Sequence, residues 1–176
     1  MTGDSLDRRP HRIVVMGVSG CGKSTLAQAV ADRLGLPMVD GDDLHLPHSV
    51  AKMKAGIPLE DADRWPWLDR IGEVLSQPAG CVVACSALRR AYRDRIRTAC
   101  PQVVFLFLDG ARGPILERMQ QRQGHYMPPS LLDSQLATLE RPGPDEPDVV
   151  HLQVEDTHED QMASARRGLA RHLQVP

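Results

Sequence analysis

The 176-residue sequence predicts an α/β fold, a three-layer, doubly wound parallel sheet of about five strands. Three observations predict it. Short apolar runs alternate with helical stretches along most of the chain, the order that builds βαβ units with right-handed crossovers. The first apolar run leads directly into Gly17-Val18-Ser19-Gly20-Cys21-Gly22-Lys23-Ser24-Thr25 and then into a helical pattern. That succession of strand, glycine loop and helix is what a phosphate-binding loop requires. The chain is also long enough to bury a substantial core in one domain, and neither an internal repeat nor a domain-scale linker divides it.

Residues 1–11 show no periodicity and are expected to form a flexible leader, leaving 12–176 as a single domain. The first strand is expected over 12–16, apolar after its first residue, as a strand covered on both faces must be. A helix follows over 23–34, with Gly35 at its C-cap position. Pro37-Met38-Val39-Asp40 reads as a short second strand running into Asp40-Gly41-Asp42-Asp43. The pattern is helical over 48–55 and is ended by Gly56-Ile57-Pro58. A further helix is expected over about 65–76, capped from Asp61 to Asp63, with Pro66 tolerated in its first turn.

Residues 81–85 form the third strand and deliver Ser86-Ala87-Leu88-Arg89 at its end, ahead of an arginine-rich helix over about 90–98. The run 103–108 is the strongest strand signal after the first. A helix over 115–122 is broken by Gly124 and then by Pro128-Pro129, and a short helix over 131–139 precedes a proline-rich loop, 141–147. A fifth strand over 149–154 and a closing helix over 159–173 complete the chain. Two helical excursions interrupt the alternation, near 48–63 and near 123–130; the second is expected to act as a lid.

Composition excludes several classes. Lys and Arg total 21 against 23 Asp and Glu, so the net charge of −2 offers no surface for nucleic acid or an anionic membrane. No apolar run is long enough to span a bilayer, and the mixed-charge start is unlike a signal peptide, which together point to a cytoplasmic protein. Cys21, Cys81, Cys85 and Cys100 lack zinc-ligand spacing and are expected to be reduced thiols, buried or incidental. His45, His48 and His125 are too scattered for a metal cluster, although His45 and His125 are placed to contact a substrate or the lid.

The chemistry follows from the loop. Gly17 and Gly22 allow a sharp turn that points backbone N–H groups inward, and the start of the next helix adds free N–H groups and a positive dipole end. Residues Gly17, Val18, Ser19, Gly20, Cys21, Gly22, Lys23, Ser24 and Thr25 are therefore the expected nucleotide site, with Lys23 reaching the β- and γ-phosphates and the Ser24 hydroxyl a ligand for Mg²⁺. Ligands of doubly wound sheets lie beyond the carboxyl ends of the strands, which brings Asp40, Asp42, Ser86, Arg89 and Asp109 to the same rim. Alternate residues of an extended segment face one way, so Asp40 and Asp42 can serve a metal and an acceptor hydroxyl; the same residue types also suit a turn or a helix cap. Arg118 and Arg122, four apart, share one helical face next to the lid and can offset charge on a transferring phosphate; arginine pairs are equally common on solvated faces. Arg64, Ser86 and Arg89 can clamp an anionic acceptor, a planar guanidinium matching a carboxylate at two points. Trp65 and Trp67 are expected to anchor helix packing. There is no Asn-Lys-x-Asp guanine-reading segment and no long apolar strand ending in Asp-Glu. The residues thus favour a small-molecule phosphotransferase over a GTPase switch or an oligomeric ATPase.

A wider set of segments resembles the gluconokinases of the shikimate-kinase-like branch of P-loop kinases. These are Met16-Gly17-Val18-Ser19-Gly20 with Gly22-Lys23-Ser24; Asp40-Gly41-Asp42 with Leu44-His45; Lys52-Met53; Gly56 with Pro58-Leu59; and Asp63-Arg64 with Pro66-Trp67-Leu68. Cys85-Ser86-Ala87-Leu88-Arg89, Tyr92-Arg93-Asp94, Arg122 with Gly124-His125-Tyr126-Met127, and Ser134-Gln135 with Thr138-Leu139-Glu140 extend the match to about residue 146. Cys21 stands where the family often has serine, and Arg141 occupies a variable position. The resemblance implies ATP-dependent phosphorylation of D-gluconate at its C6 hydroxyl, a P-loop kinase fold with a lid, and a cytoplasmic enzyme often found as a homodimer. On this reading Lys23, Asp42 and Arg122 are catalytic, Asp42 receiving the hydroxyl proton; Arg118 assists at the nucleotide. Ser24 and, through water, Asp40 hold Mg²⁺, while His45, Lys52, Arg64, Ser86, Arg89 and His125 meet the acceptor. Two alternatives stand beside it: a kinase for another small hydroxylated acid such as shikimate, or a nucleotide-binding module without transfer activity.

Overall fold

The computed structural model describes residues 10–121 and 128–173. Five parallel strands, β1 Arg12–Met16, β2 Met38–Asp40, β3 Cys81–Ala84, β4 Val104–Asp109 and β5 Val149–Gln153, form one sheet in the order β2-β3-β1-β4-β5. Among the described residues seven α-helices connect or flank them: α1 Lys23–Leu34, α2 Pro47–Lys54, α3 Asp61–Leu75, α4 Arg90–Ala99, α5 Arg112–Gln121, α6 Pro129–Thr138 and α7 His158–Leu173.

The strands alternate their side chains between two cores, the period of two that a pleated strand imposes. Ile13, Val15, Val82, Ala84, Leu106 and Leu108 meet Leu26 and Val30 of α1, Ile115 and Met119 of α5, Leu132 of α6 and Leu169 of α7. Val14, Met16, Val83, Phe105 and Phe107 meet Trp67, Leu68, Ile71 and Leu75 of α3 and Tyr92 and Ile96 of α4. The central strands are apolar on both faces because both are covered. The chain leaves β1 for the α1 face and β3 for the α4 face, so the order reverses between these neighbours and opens a crevice at their carboxyl ends. The phosphate loop and Ser86–Arg89 lie there, joined by the Gly17 N–H donating to the Ser86 carbonyl at 3.3 Å.

Several boundaries differ from the sequence expectation. Helix α3 begins at Asp61 rather than Trp65, because the Asp63 carboxylate folds back to accept the Glu60 N–H at 2.9 Å and starts the helix one turn earlier. Helix α5 begins at Arg112, and α6 at Pro129 with its proline in the first turn, where a missing N–H costs nothing. The extended continuation expected after Asp40 does not form. Gly41–Leu44 is a 3-10 turn instead, and the Asp40 carboxylate caps it by accepting the Asp42 N–H at 3.0 Å.

Candidate active site

The cradle is built by the junction of β1 and α1. Gly22 sits at the N-cap of α1 with φ 97°, in the left-handed region that side chains disfavour, and its neighbours Lys23 and Ser24 open the helix. Ser24 and Thr25 are exposed at this end, and Lys23 is half-buried. The Lys23 ammonium donates to the Val18 carbonyl at 3.0 Å, folding back across the loop it serves. Cys21 points away from solvent and is fully buried; burial pushes its thiol above the ordinary value, partly offset by the charge of Lys23.

The second wall comes from the 3-10 turn. Gly41 packs so closely on the end of β3 that a Cβ there would stand 2.6 Å from the Ala84 carbonyl oxygen. The indole N–H of Trp67 donates to the Gly41 carbonyl at 2.7 Å, and the Trp67 ring stacks on His45 with centroids 4.3 Å apart. A helix-packing tryptophan thus fixes the acidic turn. Asp42 lies at the open rim, where desolvation and then the nearby Asp40 charge raise its carboxyl above the usual range, while Lys23 and His45 pull the other way. Two carboxylates and a lysine therefore share one electrostatic neighbourhood. His45 is held below its ordinary value, first by desolvation and also by Arg64, against the opposing pull of Asp42. Its Nδ1 is buried with no hydrogen-bond partner among the described residues, an unsatisfied polar atom beside the rim.

Arg64 and Arg89 converge, as a pair of anion-binding groups should, but on a residue the sequence had not singled out. Asp61 accepts from the Tyr92 hydroxyl at 2.6 Å, and its two oxygens lie 3.5 Å from Arg64 and 4.0 Å from Arg89. The Arg64 guanidinium also lies over the Tyr92 ring, 5.5 Å from its centroid. Ser86 stands at the end of β3, and Ala87 after it takes φ 44° with no exposed surface, a strained position for a residue with a Cβ. Arg93 holds that corner. Its guanidinium donates to the Ala87 carbonyl at 3.0 Å and the Leu88 carbonyl at 3.3 Å, and it pairs with Glu146 at 2.7 Å, both side chains buried.

Lys52 and Arg118 take more local roles. Lys52 donates to Asp63 at 2.8 Å, lowering that carboxyl and tying α2 to the start of α3. Arg118 donates to the Val154 carbonyl and flanks Gly22, lining a recess of about 350 Å³ with Gly20, Thr25, His158 and Gln161. Arg122 and His125, with most of the expected lid at 123–130, lie outside the described residues. Among the described residues no three His, Cys, Asp or Glu side chains group as a metal cage. The oxygen donors at hand, the Ser24 hydroxyl and the Asp40 carboxylate, suit Mg²⁺, which takes few protein ligands and completes its shell with phosphate and water.

Asp61, Tyr92, Gln135 and the Arg93–Glu146 pair escaped the sequence reading of the site. Apart from Arg64, three residues from Asp61 on the same helix, their partners lie far along the chain, 53 residues in the case of Arg93 and Glu146, where no local spacing signals contact. The one available signal was the family resemblance, whose segments include Tyr92, Arg93 and Gln135.

Comparison with known proteins follows the same lines. A family described as an AAA domain matches residues 13–142. The gluconokinase of Gluconobacter oxydans (strain 621H) is 50% identical over 143 residues, covering 79% of this chain and 80% of that protein. A crystal structure of a gluconokinase from Sinorhizobium meliloti 1021 is 48% identical, with TM-score 0.85 and 94% of each chain covered. Shikimate kinase from Aquifex aeolicus, at 16% identity and TM-score 0.58, shares the fold.

Proposed function

The chain belongs to the gluconokinases, within the wider AAA-domain family, and from that membership we propose that it phosphorylates D-gluconate at the C6 hydroxyl with ATP, giving 6-phosphogluconate and ADP. The observation that carries the proposal is the convergence of the phosphate loop with Asp42, a carboxylate whose ionisation responds to both Lys23 and His45. A kinase for another acid, or a module without transfer activity, is not favoured by relatives of this identity.

The mechanism uses groups already on the rim. The loop's remaining backbone N–H groups, those of Gly17 and Ser19 being spent on Ser86 and Gln135, join the start of α1 to hold the phosphates, and Lys23 swings from the Val18 carbonyl to the β- and γ-phosphates. Ser24 and, through water, Asp40 would hold Mg²⁺, which would supply charge neutralisation at the phosphate oxygens. Asp42 orients the acceptor hydroxyl and takes its proton late in an in-line transfer, while a neutral His45 stays free to hydrogen-bond the polyol. Arg64 and Arg89 receive the gluconate carboxylate, with Ser86 beside them. Arg118 steadies the nucleotide end of the loop. Arg122 and His125 complete the same proposal from the lid side, and Lys52 serves it through Asp63.

The test is ADP release across a panel of acceptor acids, with ³¹P NMR of the product. Gluconate should turn over with phosphate on its terminal carbon; turnover with shikimate and none with gluconate would overturn the assignment. The cytoplasmic location and the homodimer that the resemblance implies belong to the same proposal, and light scattering of the pure protein tests the dimer.

A further inference from the structure

Helix α6 hydrogen-bonds to the phosphate loop through the side chain of Gln135. The Gln135 carboxamide oxygen accepts the Ser19 backbone N–H at 2.6 Å, and its NH₂ donates to the Ser19 hydroxyl at 2.9 Å. Both ends of a single amide are spent on one loop residue 116 positions away. Helix α5 grips the same arc at Gly20 and Gly22. Met119 packs on Gly20 so tightly that a Cβ there would lie 2.2 Å from its Cγ, and Arg118 flanks Gly22. The two helices are joined to each other by Arg112 and Asp133 at 2.5 Å. By contrast, the bond that the arc makes across itself, from the Cys21 N–H to the Val18 carbonyl, is long at 3.4 Å.

We propose that Gln135 is a positioning residue for phosphoryl transfer, fixing Ser19 and with it the half of the loop that meets the γ-phosphate. The location supports this. The loop begins against Ser86, on the acceptor side, and ends in the helix start at Gly22 and Lys23. Ser19 therefore belongs to the half nearer the acceptor, and the phosphate nearest the acceptor is the one transferred. A loop with positive φ at Gly17, Gly20 and Gly22 has much freedom to lose, and an outside clamp reduces what must be frozen when the γ-phosphate arrives. Gln135 touches no reacting atom in this scheme. It acts through Ser19.

The transfer part of the inference rests on the kinase reading above, whereas its binding part does not, and the experiment separates them. Wild-type protein, Gln135→Met, Ser19→Ala and the double variant are compared for turnover with gluconate and for affinity toward ADP and a non-hydrolysable ATP analogue. Methionine keeps length and shape but offers no amide. Q135M should lose about tenfold in kcat and in analogue affinity, while ADP affinity stays within about twofold and the melting temperature within a few degrees. The double variant should lose less than the product of the single losses, since both substitutions remove the bond between the Gln135 NH₂ and the Ser19 hydroxyl, and Q135M should cost more than S19A because S19A keeps the bond from the Ser19 backbone N–H. Equal losses for ADP and the analogue, additive losses in the double variant, or an unchanged analogue affinity would each overturn the proposal. Absence of wild-type turnover with gluconate would instead sink the acceptor assignment and leave the nucleotide comparison standing.

Discussion

At the scale of single residues, two side chains carry most of the proposed chemistry, and both are legible in the sequence. Lys23 follows from the loop motif and Asp42 from its place after a strand beside it. Lys23→Met should lower kcat by two or more orders of magnitude, measured by steady-state kinetics, with the far-UV circular dichroism unchanged. Asp42→Asn should cost about 10²- to 10⁴-fold in kcat while ATP affinity by calorimetry moves less than about threefold. The pH dependence has a defined sign. A base works ionised, and the Asp42 carboxyl titrates above its ordinary 3.8, so kcat/KM for the acceptor should fall with acidification at a higher pH than a free aspartate would give. An acid limb that persists unchanged in D42N would assign that limb to another group. What the sequence could not supply was Asp61 as the meeting point of Arg64, Arg89 and Tyr92: Arg64 is its i,i+3 neighbour on α3, but Arg89 and Tyr92 reach it by the packing of α3 on α4, which no spacing along the chain encodes.

At the scale of elements, the acidic turn shows how a short piece of backbone is shaped by its neighbours. An extended run was a fair expectation for Asp40 to Asp42, but capping by Asp40 and close contact of Gly41 with Ala84 favour a 3-10 turn. The consequence is that Asp40 and Asp42 no longer alternate on a strand; they share a compact loop, and their mutual repulsion is part of what raises Asp42. Trp67→Phe removes the indole donor from the buried Gly41 carbonyl while keeping a ring against His45. It should cost about 1–2 kcal/mol of unfolding free energy in urea titrations and raise KM for gluconate more than KM for ATP. Equal effects on both constants would mean that the turn does not belong to the acceptor side. Helix starts were the least legible boundaries because α3 depends on a side chain reaching back and α6 on a proline placed first.

At the scale of the whole molecule, the strand and helix succession was readable because each buried strand is a short apolar run and each helix shows its own period. The order of strands was not, since pairing of β1 with both β3 and β4 is a long-range matter. The ionic network linking α4 to the stretch before β5 was equally hidden: Arg93 and Arg97 look like a solvated helix face until Glu146 and Asp148 are folded against them. Burial alone would push Glu146 up, but its two guanidinium partners overcome this and hold it at about 2. Its folded value lies below the usual 4.5, so its stabilising contribution is complete above that pH and drains away as pH falls toward 2. Glu146→Gln should cost about 3 kcal/mol at neutral pH, because a buried guanidinium is left without its counter-charge, and should flatten the acid side of the stability profile measured by urea titration. The four cysteines carry a different consequence. All are free and buried, with Cys81 pushed up to about 11 and Cys85 to about 12 by loss of water. Native protein should therefore resist iodoacetamide and peroxide even at the sulfur inside its phosphate loop, so alkylation becomes a clock for transient opening and electrophilic inhibitors aimed at that sulfur find no thiolate to attack.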